Sequence, residues 1–164
     1  MKSDDRMPEF SFRPATSDDL AITYALTEDA MRSYVEQTWG AWEAEEQLAK
    51  HRANFTPETH RLILVDGVVA GLVAVEDLAT HLWLVKLYLF QRYRRAGIGS
   101  RVLQSVLADA RASGKPVRLR VLKVNQRARA LYERLGFRVI DEAPERFFME
   151  SPSAGLTPSA SHAV

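Results

Sequence analysis

The chain has 164 residues, of which 46% are hydrophobic and 26% are charged, with 8 glycines and 7 prolines. This composition indicates one globular domain and excludes disordered, collagen-like and coiled-coil chains. The sequence contains no cysteine, which excludes disulfides, thiolate zinc sites and a cysteine acyl-enzyme. The first residues carry two acids and no apolar run, and no window approaches 18 apolar residues, so we expect a cytoplasmic protein with no membrane partner.

Charge is unevenly distributed along the chain, although the net charge is only +1. Residues 86–138, the basic segment, contain 14 Lys or Arg side chains and two acids, which gives +12. Residues 1–85, the acidic segment, carry −8, and residues 139–164 carry −3. A basic segment of this size predicts a polyanionic partner, either nucleic acid or a phosphorylated cofactor, with a solvated basic face as the alternative.

The first half of the chain predicts a strand, two helices and a hairpin. An opening strand over 9–14 is followed by the capping pattern Thr16–Asp19, which starts a long helix. A second, acidic helix follows over 42–54. Two apolar runs then flank Asp66-Gly67, a pair that favours positive φ and therefore predicts a β-hairpin on a two-residue turn.

The second half predicts alternating strands and helices. Helical spacing of apolar residues and period-two alternation give, in order, a strand over 82–90, a helix opened by Gly97, a strand over 117–121, a short helix over 125–136 and closing strands over 137–141 and 145–150.

We therefore predict one α/β domain over residues 9–150, built on a mixed sheet in the element order β-α-α-β-β-β-α-β-α-β-β. Residues 1–8 are predicted as a flexible N-terminus and residues 151–164 as a disordered tail.

The segment from Gln91 to Ser100 connects a predicted strand to a predicted helix in the arrangement of an anion site. Gly97 and Gly99 allow a tight turn, and the first N–H groups of the helix lack intrahelical partners. The segment matches neither the Walker loop nor the dinucleotide pattern G-x-G-x-x-G. An ordinary helix start also explains these glycines, so both interpretations stay open on the loop alone.

Two motifs at a characteristic separation carry a family resemblance. Arg94-x-x-Gly97-x-Gly99 resembles the [QR]-x-x-G-x-[GA] pyrophosphate loop of the GNAT N-acetyltransferase superfamily. Residues 125–137 resemble that family's N-x-x-A-x-x-L-Y-x-x-x-G-F motif. The order of elements also matches, so the resemblance covers residues 9–150. It departs from the family pattern at Gln91, where proline is frequent, and in the strand over 82–90, which lacks the glutamate that serves many members as general base.

The resemblance implies direct transfer of an acetyl group from acetyl-CoA to an amine. Backbone groups of Leu87, Tyr88 and Leu89 would hold the pantetheine arm, with the Leu89 N–H polarising the thioester. The loop residues implied in cofactor binding are Arg94, Arg95, Ala96, Gly97, Ile98, Gly99 and Ser100. Asn125 would also contact the cofactor, although a helix N-cap explains it too. Tyr132 would be the catalytic general acid that protonates the leaving thiolate, with core packing as the alternative.

The general base and the acceptor remain open. Glu76, Asp77 and His81 flank the fourth predicted strand, and each is also explained as a solvated turn residue. The acidic segment predicts a cationic acceptor, either a small molecule or a protein amine. The carboxylates that would attract the ammonium and relay its proton through water are Glu43, Glu45, Glu46, Glu76 and Asp77, although they are also explained as solubilising residues.

Two alternative functions come from other classes of protein. A CoA-binding sensor without catalysis would explain the missing base, and a nucleic-acid-binding module would explain the basic segment. The basic residues follow no known nucleic-acid motif, so we expect no nucleic-acid partner. We also expect no metal, and a monomer or homodimer.

Overall fold

The computed structural model describes residues 8–152, which form seven strands and four helices. The strands are β1 (Ser11–Pro14), β2 (His60–Val65), β3 (Val68–Asp77), β4 (Leu82–Leu89), β5 (Val117–Leu122), β6 (Arg138–Glu142) and β7 (Arg146–Glu150). The helices are α1 (Leu20–Trp39), α2 (Ala44–Asn54), α3 (Ile98–Ala112) and α4 (Gln126–Arg134). The predicted element order and the mixed α/β fold class are confirmed. Within residues 8–152, none of the helices has both the length and the apolar character that crossing a membrane requires.

The strands form one mixed sheet in the order β1-β2-β3-β4-β5-β7-β6. β4 and β5 are parallel, with Leu82 opposite Val117 and Trp83 opposite Arg118. The pairs β1·β2, β2·β3, β5·β7 and β6·β7 are antiparallel. The last strand, β7, lies between β5 and β6, so β6 forms the edge of the sheet.

The chain packs as two compact units, which are described separately. Residues 8–74 and 86–101 belong to the first unit, and residues 75–85 and 102–152 to the second.

The core of the first unit joins helix α1 to the sheet. Leu26 of α1 packs with Leu62 of β2 and Leu72 of β3, and all three are 0% exposed. Burial of each leucine contributes roughly 1.5–3 kcal/mol. The tightly packed centre therefore fixes α1 on β2 and β3.

Local chemistry sets the ends of the first unit's elements as the sequence predicts. The Thr16 side chain caps the turn before α1, and the Thr16 N–H donates to Asp19 Oδ2 at 2.8 Å in a capping box. Arg13 forms an ion pair with Asp19, and this hydrogen-bonded cation lowers the Asp19 pKa. In the hairpin, Asp66 and Gly67 have φ of 51° and 75°, the positive values of a two-residue turn.

The second unit is built around the alternating strand β5. Val117 and Leu119 are buried, whereas the intervening Arg118 turns its Nε to Glu150 Oε2 of β7 at 2.6 Å. Alternation of this kind places apolar side chains on one face and cations on the other. Met149 of β7 completes the buried face and is 0% exposed.

The packed chain extends into the segment predicted as a tail. Ser151 is buried, its N–H donates to the Val117 carbonyl at 2.8 Å, and its Oγ accepts the Val117 N–H at 2.8 Å. The start of the tail at residue 151 is therefore corrected, because Ser151 continues the pairing of β7 with β5. At the other end, the Pro8 carbonyl accepts a hydrogen bond from Arg101 at 2.6 Å. Residues 1–7 and 153–164 lie outside the described part of the chain.

Candidate active site

The loop between β4 and α3 has the backbone conformation of an anion site. Arg95 and Gly97 have positive φ, 68° and 81°. A left-handed conformation costs a residue with a side chain about 1–2 kcal/mol, so surrounding contacts must impose it on Arg95. Helix α3 begins at the buried Ile98, and its first N–H groups have no intrahelical acceptors. These N–H groups and the helix dipole favour negative charge at this end.

The side chain of Arg94 fixes this loop from within the first unit. Its Nε donates to the Leu89 carbonyl at 2.9 Å, and its Nη2 donates to Asp29 Oδ2 at 2.8 Å. The Asp29 carboxylate also accepts the Gln91 N–H at 3.1 Å. The motif predicts that Arg94 binds the cofactor. In the structure, its guanidinium instead binds the Leu89 carbonyl and the Asp29 carboxylate. Asp29 lies 65 residues before Arg94, and no sequence signal connects the two.

Strand β4 presents a peptide group at the edge next to the loop. The Phe90 N–H donates to the Ala70 carbonyl of β3 at 2.9 Å. Neighbouring residues of a strand direct their backbone groups to opposite edges, so the N–H and carbonyl of Leu89 point away from β3. The Leu89 carbonyl accepts a hydrogen bond from Arg94 Nε, and the Leu89 N–H points to the same edge of the strand. Strand β4 pairs with β5 at Leu82 and Trp83, and Leu87–Leu89 follow these paired residues along the strand.

A glycine lets β4 approach β3 closely behind this peptide. A Cβ on Gly71 would lie 2.6 Å from Leu89 Cδ2 and would overlap the Tyr88 carbonyl oxygen. In contrast, a Cβ on Gly99 would lie 3.6 Å from Leu89 Cδ1, an ordinary contact. The sequence identified Gly99 through its motif but gave no reason to single out Gly71.

Three basic side chains are buried or half-buried in the first unit. His51 Nε2 lies 2.9 Å from Thr23 Oγ1, whereas His60 Nε2 is buried without a hydrogen-bond partner. Burial, reinforced by the Lys86 charge, lowers the His51 pKa to about 4. Burial also lowers the pKa of His60 and of Lys86. Both histidines are therefore neutral at pH 7, and no sequence motif indicated either of them.

Helix α4 carries the second motif in the second unit. Asn125 is its N-cap, because Asn125 Oδ1 accepts the Ala128 N–H at 3.1 Å. The half-buried Tyr132 packs its ring 5.7 Å from that of Phe137, and its carbonyl accepts the Phe137 N–H at 3.0 Å. The capping alternative for Asn125 is thus present in the structure. The cofactor contact of Asn125 and the acid role of Tyr132 stay predictions.

The acids predicted near the fourth strand have structural partners or face solvent. Asp77 Oδ1 lies 2.7 Å from Lys115 Nζ, and Glu76 is exposed. His81 Nδ1 lies 2.8 Å from Thr80 Oγ1, and burial lowers the His81 pKa. Glu76 and Asp77 are the last two residues of β3, so of the three only His81 lies in the turn that precedes β4. The contacts of Asp77 and His81 favour structural roles for these two residues.

The acids of the first unit lie on its helical side. Those predicted from the acidic helix are exposed at the start of α2, namely Glu43, Glu45 and Glu46. An open groove of about 580 Å³ runs along α1, with Glu28, Asp29 and Glu36 among its lining residues. No sequence motif indicates this groove.

Among the described residues, five of the 14 cations of the basic segment form ion pairs with nearby acids. The ion pairs at 2.6–2.8 Å join Arg94 to Asp29, Lys115 to Asp77, Arg118 to Glu150, Lys123 to Glu142 and Arg129 to Glu133. A phosphate backbone would have to compete with these carboxylates. The pairing therefore disfavours the nucleic-acid alternative.

Comparison with known proteins decides the family. A family model described as Acetyltransferase (GNAT) family matches residues 23–137. The chain belongs to this family. The predicted family membership is thereby confirmed, as is acetyl-CoA, the co-substrate of GNAT acetyltransferases. No curated protein has a sequence that matches this chain.

Solved structures of GNAT acetyltransferases share the fold at low sequence identity. The PaiA N-acetyltransferase of Thermoplasma acidophilum, solved with coenzyme A, is 20% identical, with a TM-score of 0.70 and coverage of 87% of this chain and 98% of that one. The ribosomal-protein-S18-alanine N-acetyltransferase of Escherichia coli is 18% identical, with a TM-score of 0.68 and coverage of 89% and 95%. An acetyltransferase of Thermus thermophilus is 17% identical, with a TM-score of 0.70 and coverage of 89% and 98%.

Proposed function

We propose that this GNAT acetyltransferase transfers the acetyl group of acetyl-CoA directly to an amine, which is a cationic small molecule or a protein amine. The loop at the start of α3 carries the proposal. Positive φ at Arg95 and Gly97 and the free N–H groups of the helix start fit a pyrophosphate. The lack of cysteine in the sequence supports direct transfer, because a cysteine acyl-enzyme is excluded.

The cofactor contacts follow from the two backbone features of the first unit. The N–H groups from Arg95 to Ser100 would bind the pyrophosphate, and the peptide groups of Leu87–Leu89 would bind the pantetheine arm. Asn125 of α4 would add a contact through its amide nitrogen, since its oxygen caps the helix. Arg94 would contribute to cofactor binding through its hydrogen bond to the Leu89 carbonyl instead of a direct contact with phosphate.

The reaction needs a polarised carbonyl, a neutral amine and a proton for the leaving group. Bound acetyl-CoA supplies the activated thioester. The Leu89 N–H would donate to the thioester oxygen, where negative charge develops as the amine attacks. Tyr132 would donate its phenolic proton to the departing thiolate. The attacking amine must lose its own proton, for which Glu76, Asp77 and His81 remain the proposed acceptors.

The preference for a cationic acceptor is an electrostatic proposal. The exposed carboxylates at the start of α2, those of its N-cap Glu43 and of Glu45 and Glu46, would attract an ammonium ion. Attraction between exposed charges weakens as salt increases.

Ligand-induced stabilisation tests the cofactor loop. Acetyl-CoA at a hundred times its dissociation constant should stabilise the protein by about 2.7 kcal/mol. Gly97→Glu should abolish this shift, because it strains a positive φ and places a carboxylate against the pyrophosphate. Gln104→Glu is the matched control, since it adds the same charge to an exposed position of α3 and should retain the shift. An equal shift in Gly97→Glu would contradict the loop assignment, and a salt-sensitive shift with an oligonucleotide instead would favour the nucleic-acid alternative.

Release of free thiol from acetyl-CoA tests the activity and the acceptor. Amines, peptides and antibiotics would be screened, and a matched pair of cationic and neutral amines would then be compared at low and high salt. We expect a kcat/KM preference for the cation that decreases with salt. A preference for the cation that does not change with salt concentration would contradict the electrostatic proposal. Binding of CoA without turnover on any amine would favour the CoA-binding sensor.

A further inference from the structure

Asp29 of α1 contacts both ends of the turn that opens the cofactor loop. Its Oδ2 accepts the Gln91 N–H at 3.1 Å and lies 2.8 Å from Arg94 Nη2. The Asp29 carbonyl accepts the same Arg94 nitrogen at 3.2 Å. Asp29, which is more than 60 residues away in sequence, therefore holds both Gln91 and Arg94.

Arg94 extends this connection to the edge of β4. Its Nε donates to the Leu89 carbonyl at 2.9 Å, while its Nη2 binds Asp29. A planar guanidinium with both of these partners has little rotational freedom. The Leu89 peptide is thus held at the edge where its N–H points away from β3.

We propose that Asp29 is a positioning residue, which acts through Arg94 to hold the cofactor loop and the Leu89 peptide in the orientation that acetyl-CoA requires. The proposal rests on the proposed function, because Leu89 and the loop are taken as the cofactor contacts. In this role Asp29 would act through Arg94 and not through a contact with the thioester. Its effect is to keep N–H donors aligned before the cofactor arrives.

The geometry separates positioning from ordinary stabilisation. The side chains of Arg94 and Asp29 are 31% and 36% exposed, and exposed ion pairs contribute little to folding. Without the carboxylate, however, Arg94 would gain rotamers, and its hydrogen bond to the Leu89 carbonyl would be held less firmly. We therefore expect loss of Asp29 to weaken cofactor binding and turnover much more than it lowers the melting temperature.

The test measures the affinity for coenzyme A by calorimetry and, separately, the turnover with acetyl-CoA. Asp29→Ala should raise the CoA dissociation constant about tenfold and should lower kcat, with a melting temperature close to that of the wild type. The control is Glu142→Ala, which removes the carboxylate of the more exposed ion pair with Lys123 and should change neither value. Unchanged affinity and kcat in Asp29→Ala would overturn the proposal, as would a loss of affinity matched by Glu142→Ala.

A double-mutant cycle tests whether Asp29 acts through Arg94. In an Arg94→Ala background, Asp29→Ala should have almost no further effect on CoA affinity. Additive losses in the double variant would overturn the coupling. The coupling is supported if Asp29→Ala weakens CoA binding in the wild-type background but not in the Arg94→Ala background. Failure of the wild-type protein to bind coenzyme A would instead contradict the proposed function together with this inference.

Discussion

The loop that opens α3 and the helix α4 both carry family motifs, but different contacts hold them. The loop depends on Asp29, 65 residues away, and on a non-glycine residue held at a φ of 68°. Helix α4 is held by neighbours in sequence, since Asn125 caps its start and the Tyr132 carbonyl accepts the Phe137 N–H at its end. Contacts between residues far apart in sequence therefore hold the loop motif, whereas contacts between sequence neighbours hold the helix motif.

The first unit and helix α4 also differ in their electrostatics. The first unit contains the buried neutral bases His51 and His60, together with Lys86. Helix α4 carries an exposed ion pair between Arg129 and Glu133, one turn apart. Acid should therefore affect the first unit, where these groups are buried, more than α4.

Acid should give the largest effect and should act on the first unit. The His51 pKa is about 4 in the folded chain against its usual 6.5, so the unfolded chain binds the proton first as the pH falls. The stabilisation is complete above pH 6.5 and is lost as the pH falls towards 4, by up to about 3 kcal/mol. Urea unfolding between pH 7.5 and 4.5 should show a smaller pH slope for His51→Gln than for the wild type. Equal slopes would contradict the assignment, and hydrogen exchange should show amides of α1 and α2 near His51 loosening before those of α4.

Tyr132→Phe tests whether α4 contributes side-chain chemistry where the loop contributes backbone groups. The ring is retained, so packing on Phe137 should persist while the proton donor is lost. We expect normal CoA binding and a fall in turnover of roughly 100-fold, the lower range for loss of a general acid. Steady-state kinetics and calorimetry would separate the two. Unchanged turnover in a folded variant would make Tyr132 a packing residue.

Gly71→Ala tests the tertiary support behind the loop. The added Cβ would overlap the Tyr88 carbonyl and press on Leu89, so β4 would have to move. We expect about 1–3 kcal/mol of destabilisation, together with weaker CoA binding. Val68→Ala, at an exposed position of the same strand, is the control and should preserve CoA affinity. A stable Gly71→Ala variant with normal affinity would show that the Leu89 peptide tolerates displacement.

Asn125→Ala should give the smallest effect, because it removes only a local cap. Loss of an N-cap side chain costs about 1 kcal/mol, and Asn125→Asp should restore the cap. Denaturant unfolding measures the loss. CoA affinity distinguishes the two roles of Asn125: a weakening in both variants would indicate a cofactor contact through the amide nitrogen, and a weakening in Asn125→Ala alone would indicate capping.

Several features of the fold could be predicted because short-range chemistry specifies them. The capping box at Thr16, the Asp66-Gly67 turn and the alternation of β5 each depend on residues close together in sequence. The loop and the α4 motif were located for the same reason. The start of the tail was misplaced because the burial of Ser151 depends on Val117, which is distant in sequence.

The sequence by itself determined the elements, their order, the family and the positions of both motifs, because periodicity, caps and motif spacing are written in neighbouring residues. Tertiary structure alone decided the placement of β7 between β5 and β6, the close approach at Gly71, the burial of the two histidines and the hold of Asp29 on Arg94. These features join residues far apart in the chain, and only the packing of the folded chain brings such partners within contact distance.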